Sequence, residues 1–255
     1  MMDTERRRGK IMELVHETGK VRVGELSCQF GVSEVSIRKD LEALEAEGHL
    51  QRVHGGAVAL NKLYVNMDLG ERYKTNAAAK KELAEFAADF IEDNDTVFMN
   101  AGTTLTYVLR AIRGKKNVSI VTNSIQNATE AASHASFNVI LLGGSVDSKY
   151  QFTHGSDAEN QLKNYHATKC ILSADGISRD AGLTLYYSNE APLARRMIDS
   201  ASSVIVVADG SKVGKEVFAK ITDAKNIDIL ITNKTDKRDT IENLRELGVK
   251  VYEVE

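Results

Sequence analysis

One segment, V-S-E-V-S-I-R-K-D-L-E-A-L-E-A-E-G-H-L-Q-R-V-H-G-G-A over residues 32–57, constrains the fold more than any other stretch of the chain. The hydroxyl of Ser33 can accept from a free backbone N–H at a helix start, and Gly48 tolerates the left-handed backbone that closes a helix. Between them Ile37, Leu41 and Leu44 recur at i, i+4 and i+7 and predict one buried stripe, with Glu34, Val35, Ser36, Arg38 and Lys39 lying partly or wholly off it. Upstream, Ile11, Leu14 and Val15 mark a first helix stopped by Gly19, and residues 25–30 a second stopped by Gly31. Downstream, residues 50–53 and 57–60 flank His54-Gly55-Gly56, a hairpin composition that carries Arg52 and His54 outward. Three helices and a basic hairpin predict a winged helix-turn-helix over residues 1–60, with the exposed start of the third helix entering a DNA major groove. A three-helix interaction module is the bland alternative.

Charge limits how such a domain works. Residues 1–60 hold 9 Lys and Arg against 10 Asp and Glu, so the positive charge is local, at Arg6, Arg7, Arg8, Lys10, Arg38, Lys39 and Arg52. Glu42, Glu45 and Glu47 fall further along the third helix. Affinity for DNA tracks the number of phosphates neutralised, so one domain binds weakly, and occupancy of double-stranded operator DNA calls for a homo-oligomer, a dimer or a tetramer.

The 255 residues suit one small and one larger domain, the larger able to bury a proper core. No run of about 18 apolar residues and no signal-peptide pattern is present, which predicts a cytoplasmic protein with no membrane partner. Cys28 and Cys170 fall in different domains, which excludes a disulfide within one domain and predicts two buried thiols. The six His show no metal-ligand spacing, so neither a metal nor a cofactor is expected.

Periodic pattern fades through residues 59–76, which places a linker at 61–76 and a second domain at 77–255. There a helical stretch over 77–91 precedes apolar runs at 96–99, 118–121, 139–142, 170–174, 204–208 and 227–231, separated by helical segments. That alternation predicts an α/β domain with a largely parallel sheet, and ligands in such sheets bind beyond the C-terminal strand ends. Gly102-Thr103-Thr104, Thr122-Asn123-Ser124 and Gly143-Gly144-Ser145 follow three of the runs with small residues, hydroxyls and backbone N–H groups, a composition suited to phosphate. Lys212 follows another run and is placed to pair with that phosphate, although a solvated surface lysine reads equally well. Asp175 follows a fifth, where a carboxylate can accept from sugar hydroxyls.

Residues 6–58 resemble the DNA-binding domain of the DeoR family of bacterial transcription regulators. The resemblance rests on Arg6, Gly19-Lys20-Val21-Arg22-Val23-Gly24-Glu25-Leu26, Val32-Ser33, Ile37-Arg38-Lys39-Asp40-Leu41, Leu44-Glu45, Gly48 and Arg52-Val53-His54-Gly55-Gly56-Ala57. Ser36 stands where the family has Thr, and Lys39 where it has a second Arg, so a bidentate guanine contact falls to Arg38. Residues 71–233 resemble the sensor domain of the same family, itself similar in fold to ribose-5-phosphate isomerase, through Glu71-Arg72, Lys80, Gly102-Thr103-Thr104, Thr122-Asn123-Ser124, Gly143-Gly144, Gly155, Gly176-Ile177, Gly182-Leu183-Thr184, Glu190 and Asp209 with Ser211-Lys212.

The resemblance implies a repressor of a carbohydrate operon, induced by a phosphorylated sugar or related intermediate, with Glu71-Arg72 as a candidate relay between domains. Two positions depart from it: Asn100 and Asn233 stand where the family has Asp. Loss of charge at Asn100 predicts altered hydroxyl recognition and a less polyhydroxylated or more anionic effector. An isomerase is the alternative, and it calls for D-G-x-D-E with a Lys soon after. Here Asp175-Gly176-Ile177-Ser178-Arg179 lacks the second Asp, no Lys occurs from Ile171 to Ser211, and Glu190 alone follows, which describes a binding pocket without the catalytic set.

Overall fold

The computed structural model describes residues 4–18, 20–46, 49–53, 55–59 and 67–255. The chain divides between Met67 and Asp68 into two compact units.

In the first unit α1 (Thr4–Thr18), α2 (Val23–Phe30) and α3 (Glu34–Ala46) accompany three short strands, β1 (Lys20–Arg22), β2 (Leu50–Val53) and β3 (Gly56–Ala59). Ile37, Leu41 and Leu44 meet Ile11, Val15, Leu26, Leu50 and Ala57 in one core, as the periodicity of α3 predicts. Gly31 closes α2 at φ 64°, donating its N–H to the Ser27 carbonyl. The hairpin of β2 and β3 gains a third antiparallel strand, β1, beside β3. That pairing explains Gly56, since a Cβ there would lie 2.0 Å from the Val21 carbonyl oxygen. Cys28 is exposed rather than buried, because α2 turns Val23 and Leu26 to the core and leaves Cys28 on its outer side. The expected helix stops Gly19 and Gly48, the wing residues His54 and Leu60, and residues 61–66 of the expected linker lie outside the described residues.

The second unit is built on a seven-stranded, wholly parallel sheet in the order β15-β14-β12-β9-β4-β5-β6. Its strands are β4 (Thr96–Met99), β5 (Ser119–Thr122), β6 (Asn138–Leu141), β9 (Lys169–Leu172), β12 (Val204–Val207), β14 (Ile229–Asn233) and β15 (Lys250–Val254). Neighbouring residues on a strand point to opposite faces, and both faces here are covered. Phe98, Cys170, Leu172, Val206 and Leu230 pack with α8 (Ser156–Leu162), α9 (Ala191–Asp199) and α10 (Arg238–Glu246). Val97, Met99, Ile171, Ile205, Val207 and Ile231 pack on the other face with α5 (Ala77–Ala88), α6 (Thr103–Ala111) and α7 (Ile125–Ala132). Double coverage is why these strands read as continuous apolar runs.

A short helix, α4 (Leu69–Lys74), opens the unit with a capping box formed by Asp68 and Glu71. Two antiparallel additions were not foreseen: a hairpin of β7 (Ser145–Asp147) with β8 (Phe152–His154), and a sheet of β10 (Gly176–Ser178), β11 (Gly182–Leu185) and β13 (Ala219–Thr222).

Candidate functional site

Ser33 caps α3, its Oγ accepting from the Ser36 N–H at 3.2 Å. The first turns then present Glu34, Val35, Arg38 and Lys39 to solvent, with Ser36 half-buried. Val35 is 60% exposed, an apolar group that the fold has no use for. Arg38 pairs along the helix with Glu34 at 2.5 Å, and Arg52 on the wing pairs with Glu42 at 3.2 Å. These ion pairs are exposed and each holds little energy, so either Arg can exchange its carboxylate for another anion. Arg7 and Arg8, part of the local positive charge of this domain, turn inward. Both engage the buried Asp40 of α3, at 2.6 and 3.3 Å, and fasten α1 to the third helix. A buried carboxylate needs such partners.

In the second unit the expected site residues gather at the C-terminal edge of the parallel sheet, but they divide into two kinds. The first kind holds the edge together. Asn100, fully buried at the end of β4, accepts from the Ser173 N–H at 2.9 Å and donates to the Ser173 carbonyl at 3.2 Å and to Glu190 Oε1 at 3.1 Å. It stitches the ends of adjacent strands β4 and β9 to the start of α9. Asn127 donates to the Asn100 carbonyl at 3.1 Å and accepts from Thr106 at 2.7 Å. Thr122 accepts from the Ser124 N–H, and Ser124 caps α7 through the Asn127 N–H. Asn123 donates to the Thr153 carbonyl at 3.1 Å, while its Oδ1 is buried with no hydrogen-bond partner. The Gly143 N–H is taken by Gln161 Oε1 at 2.9 Å, and Gly144, at φ 130°, sits so close to the His154 carbonyl that a Cβ would approach it to 2.6 Å. Gly102 is required for the same kind of reason, a Cβ there meeting Ser173 Oγ at 1.8 Å.

The second kind is a cluster of buried charge around the start of α6. Lys80, on α5, is 2% exposed and donates to the Arg72 carbonyl at 2.6 Å and to Thr103 Oγ1 at 3.0 Å. Burial lowers its pKa to about 8, opposed by the charge of Asp209. Lys212 lies 4.0 Å from Asp175, and burial lowers its pKa also. Asp175 accepts from the Tyr186 N–H, and Asp209 accepts from Asn76 Nδ2 at 3.2 Å and the Ser211 N–H at 3.1 Å. Arg72, on α4, donates to the Tyr187 hydroxyl at 3.0 Å and lies over the Tyr150 ring at 4.4 Å. Glu190 accepts from Asn100 and from the Ala101 N–H at 3.0 Å. Burial, reinforced by the charge of Asp175, raises its pKa to about 8. Near neutral pH the carboxyl is therefore largely protonated, with one oxygen already filled by donors.

Thr103 and Thr104 belong to the first turn of α6, where backbone N–H groups have no helical partner. Backbone donors beside Lys80, whose charge is coupled to those of Lys212 and Arg72, are suited to take up an anion. Arg72, Lys80, Asp209 and the tyrosines were not expected as members of this cluster, although three of them stood in motifs.

Comparison with known proteins agrees with both units. Residues 7–62 match the DeoR-like helix-turn-helix domain, and residues 75–234 match the DeoR C terminal sensor domain. The chain belongs to the DeoR family of transcriptional regulators. This DeoR-family chain is 31% identical to the HTH-type transcriptional regulator GolR of Listeria innocua, over 96% of each chain. It is 30% identical to the transcriptional repressor AccR of Agrobacterium fabrum, over 95% of this chain and 94% of that one, and 28% identical to the HTH-type transcriptional repressor GlcR of Bacillus subtilis, over 100% and 98%. Among solved structures, ribose 5 phosphate isomerase A from Neisseria gonorrhoeae is similar over 54% of this chain and 53% of its own, at 18% identity and a TM-score of 0.41. The DeoR-family chain is a DNA-binding regulator. No helix among the described residues is long and apolar enough to cross a membrane, and no group of three or more His, Cys, Asp or Glu among them is placed to hold a metal.

Proposed function

We propose that the protein is a cytoplasmic repressor of a carbohydrate operon that binds operator DNA as a homo-oligomer and is controlled by a phosphorylated sugar or related intermediate. The observation that carries this reading is the position of Lys80, whose ammonium is shared between Thr103 at the anion-binding turn and the Arg72 carbonyl of α4. Because α4 is the first helix after the division between the units, a ligand at α6 is felt by the element through which the chain reaches the DNA-binding unit.

In this mechanism the phosphate is held by the N–H groups of Thr103 and Thr104 with Lys80 and Lys212, while Asp175 accepts from hydroxyls. Drawing the Lys80 ammonium toward phosphate weakens its bond to the Arg72 carbonyl and shifts α4. Two recognition helices held one DNA turn apart then lose register with their half-sites. A coupling of about 1–3 kcal/mol changes operator affinity roughly 5- to 150-fold, enough for induction. On DNA, Arg38 and the exposed Val35 are the base-reading candidates, through guanine and a thymine methyl. Ser33, Glu34, Ser36, Lys39, Arg52 and His54 complete the expected contact set.

The test is fluorescence anisotropy with DNA from upstream of the protein's own gene, at one salt concentration, with a panel of sugar phosphates. Specific binding relieved by one compound in wild type, but not in Lys80→Met, is the expected result. Specific binding that no compound changes removes the effector reading. Sedimentation of the free protein as a monomer at micromolar concentration removes the oligomer.

A further inference from the structure

Apart from the effector cluster, the sensor unit holds a cavity of about 320 Å³ between α5 and α6, lined by Lys81, Glu85, Tyr107, Arg110, Ala111 and Arg113. None of these residues belongs to the site described above. Three cations and one carboxylate line it, in a chain whose net charge is −3. Among the exposed arginines of this unit Arg195 is held by the Ile221 and Lys220 carbonyls, while Arg179 is matched by the carboxylate of Glu246 and Arg196 by that of Glu159. Arg113 is not, since among the described residues it makes no ion pair. Its Nε donates to the Arg110 carbonyl at 2.9 Å, which fixes the guanidinium at the end of α6 and covers a carbonyl that would repel an anion.

The other walls suit the same occupant. Lys81 has a single ion pair among the described residues, with Glu85 at 3.8 Å, and both side chains are largely in solvent. Arg110 gives its Nε to Glu130 at 2.9 Å and lies over the rings of Tyr73 and Tyr107, at 5.3 and 5.8 Å. A guanidinium fork, an ammonium and an aromatic wall in a space at the lower end of ligand-pocket sizes fit a small phosphorylated molecule.

We propose that this cavity is a second ligand site, binding a small phosphomonoester distinct from the occupant of the effector site. Its walls also touch α4. The Tyr107 hydroxyl donates to the Tyr73 carbonyl at 3.3 Å and the two rings lie 4.9 Å apart, next to Arg72 in sequence. A ligand that pulls on Arg110 or Tyr107 therefore acts on the helix that the first site also holds.

The experiment is calorimetric titration of the full chain with adenosine monophosphate and, separately, with inorganic phosphate. Wild type binds at least one of them saturably. The Lys81→Gln/Arg113→Gln double variant, altered only at exposed side chains and checked for folding by circular dichroism, weakens that binding by at least about tenfold, and Lys212→Gln changes it less than about twofold. Tighter binding of the nucleotide than of phosphate identifies a nucleotide-like ligand, and equal binding identifies the phosphoryl group alone. Loss of binding in Lys212→Gln with the double variant unaffected returns the phosphate to the effector site and overturns the second one. So does the absence of saturable binding at about 10 mM of either probe.

Discussion

The start of α3 and the start of α6 both meet phosphate in our reading, and they manage charge in opposite ways. On α3 the cation is Arg38, half in solvent and paired with an equally exposed Glu34. At α6 the cations are Lys80 and Lys212, buried and shifted toward neutrality by desolvation. An exposed pair is cheap to rearrange and weak, which suits a surface that slides along DNA and adds its contacts over two or more domains. A buried ammonium is expensive to hold and gains much from an incoming anion, which suits a switch that one small molecule must throw. The same ligand chemistry is read in one place by number and in the other by desolvation.

The contrast breaks first if buried charge is not what holds the molecule. Arg7→Ala leaves Asp40 buried with Arg8 as its remaining arginine partner and should cost about 3–5 kcal/mol in the first unit, read as loss of its unfolding transition while the sensor transition stays. A cost under about 1 kcal/mol makes Asp40 an ordinary surface acid. Next comes Asn100→Asp, which restores the residue the family has but sets a carboxylate against Glu190 where the Asn amide donated at 3.1 Å. We expect a loss of about 2–4 kcal/mol at pH 8 and less at pH 5, where one of the two acids keeps its proton.

Glu190→Gln sharpens the comparison through pH. The folded pKa of Glu190 is raised from 4.5 to about 8, so its contribution to stability is complete below 4.5 and is lost as pH rises through 8. Denaturant titrations should show wild type losing stability relative to the variant across that window, and parallel curves would mean that Glu190 is ionised throughout. Lys80 acts with the opposite sign in the window above. Its folded pKa is lowered from 10.5 to about 8, so its contribution is present above 10.5 and lost as pH falls to 8. On the exposed side, Arg38→Ala should relax sequence preference by about 1–3 kcal/mol, and equal losses on operator and random DNA would make Arg38 a phosphate contact. Smallest is Glu34→Ala, which removes only the i, i+4 partner and should change stability by no more than about 0.5 kcal/mol.

What the sequence alone makes legible follows the same division. The recognition helix was legible because its caps and 3.6-residue stripe are local, and the parallel strands because double burial leaves unbroken apolar runs. Three-residue strands such as β1 and β10 carry no period long enough to detect. The partners of Arg7, Arg8 and Lys80 are not legible in the sequence for one reason: a long cationic side chain is usually solvated, and only the fold brings Asp40 to the first two and Thr103 to the third. Asn100 has partners 73 and 90 residues away, and no spacing announces that, besides standing among the expected effector contacts, it fastens one strand end to another.

The aromatic clasp on Arg72 has a practical consequence. The chain has 8 Tyr and no Trp, so its near-ultraviolet emission comes from phenol rings alone. Tyr150 and Tyr187 stand 4.3 Å apart beside that guanidinium, and Tyr73 follows it on α4. The protein thus carries its own optical gauge at the helix that opens its sensor unit, and a movement of α4 can be timed by its unlabelled fluorescence.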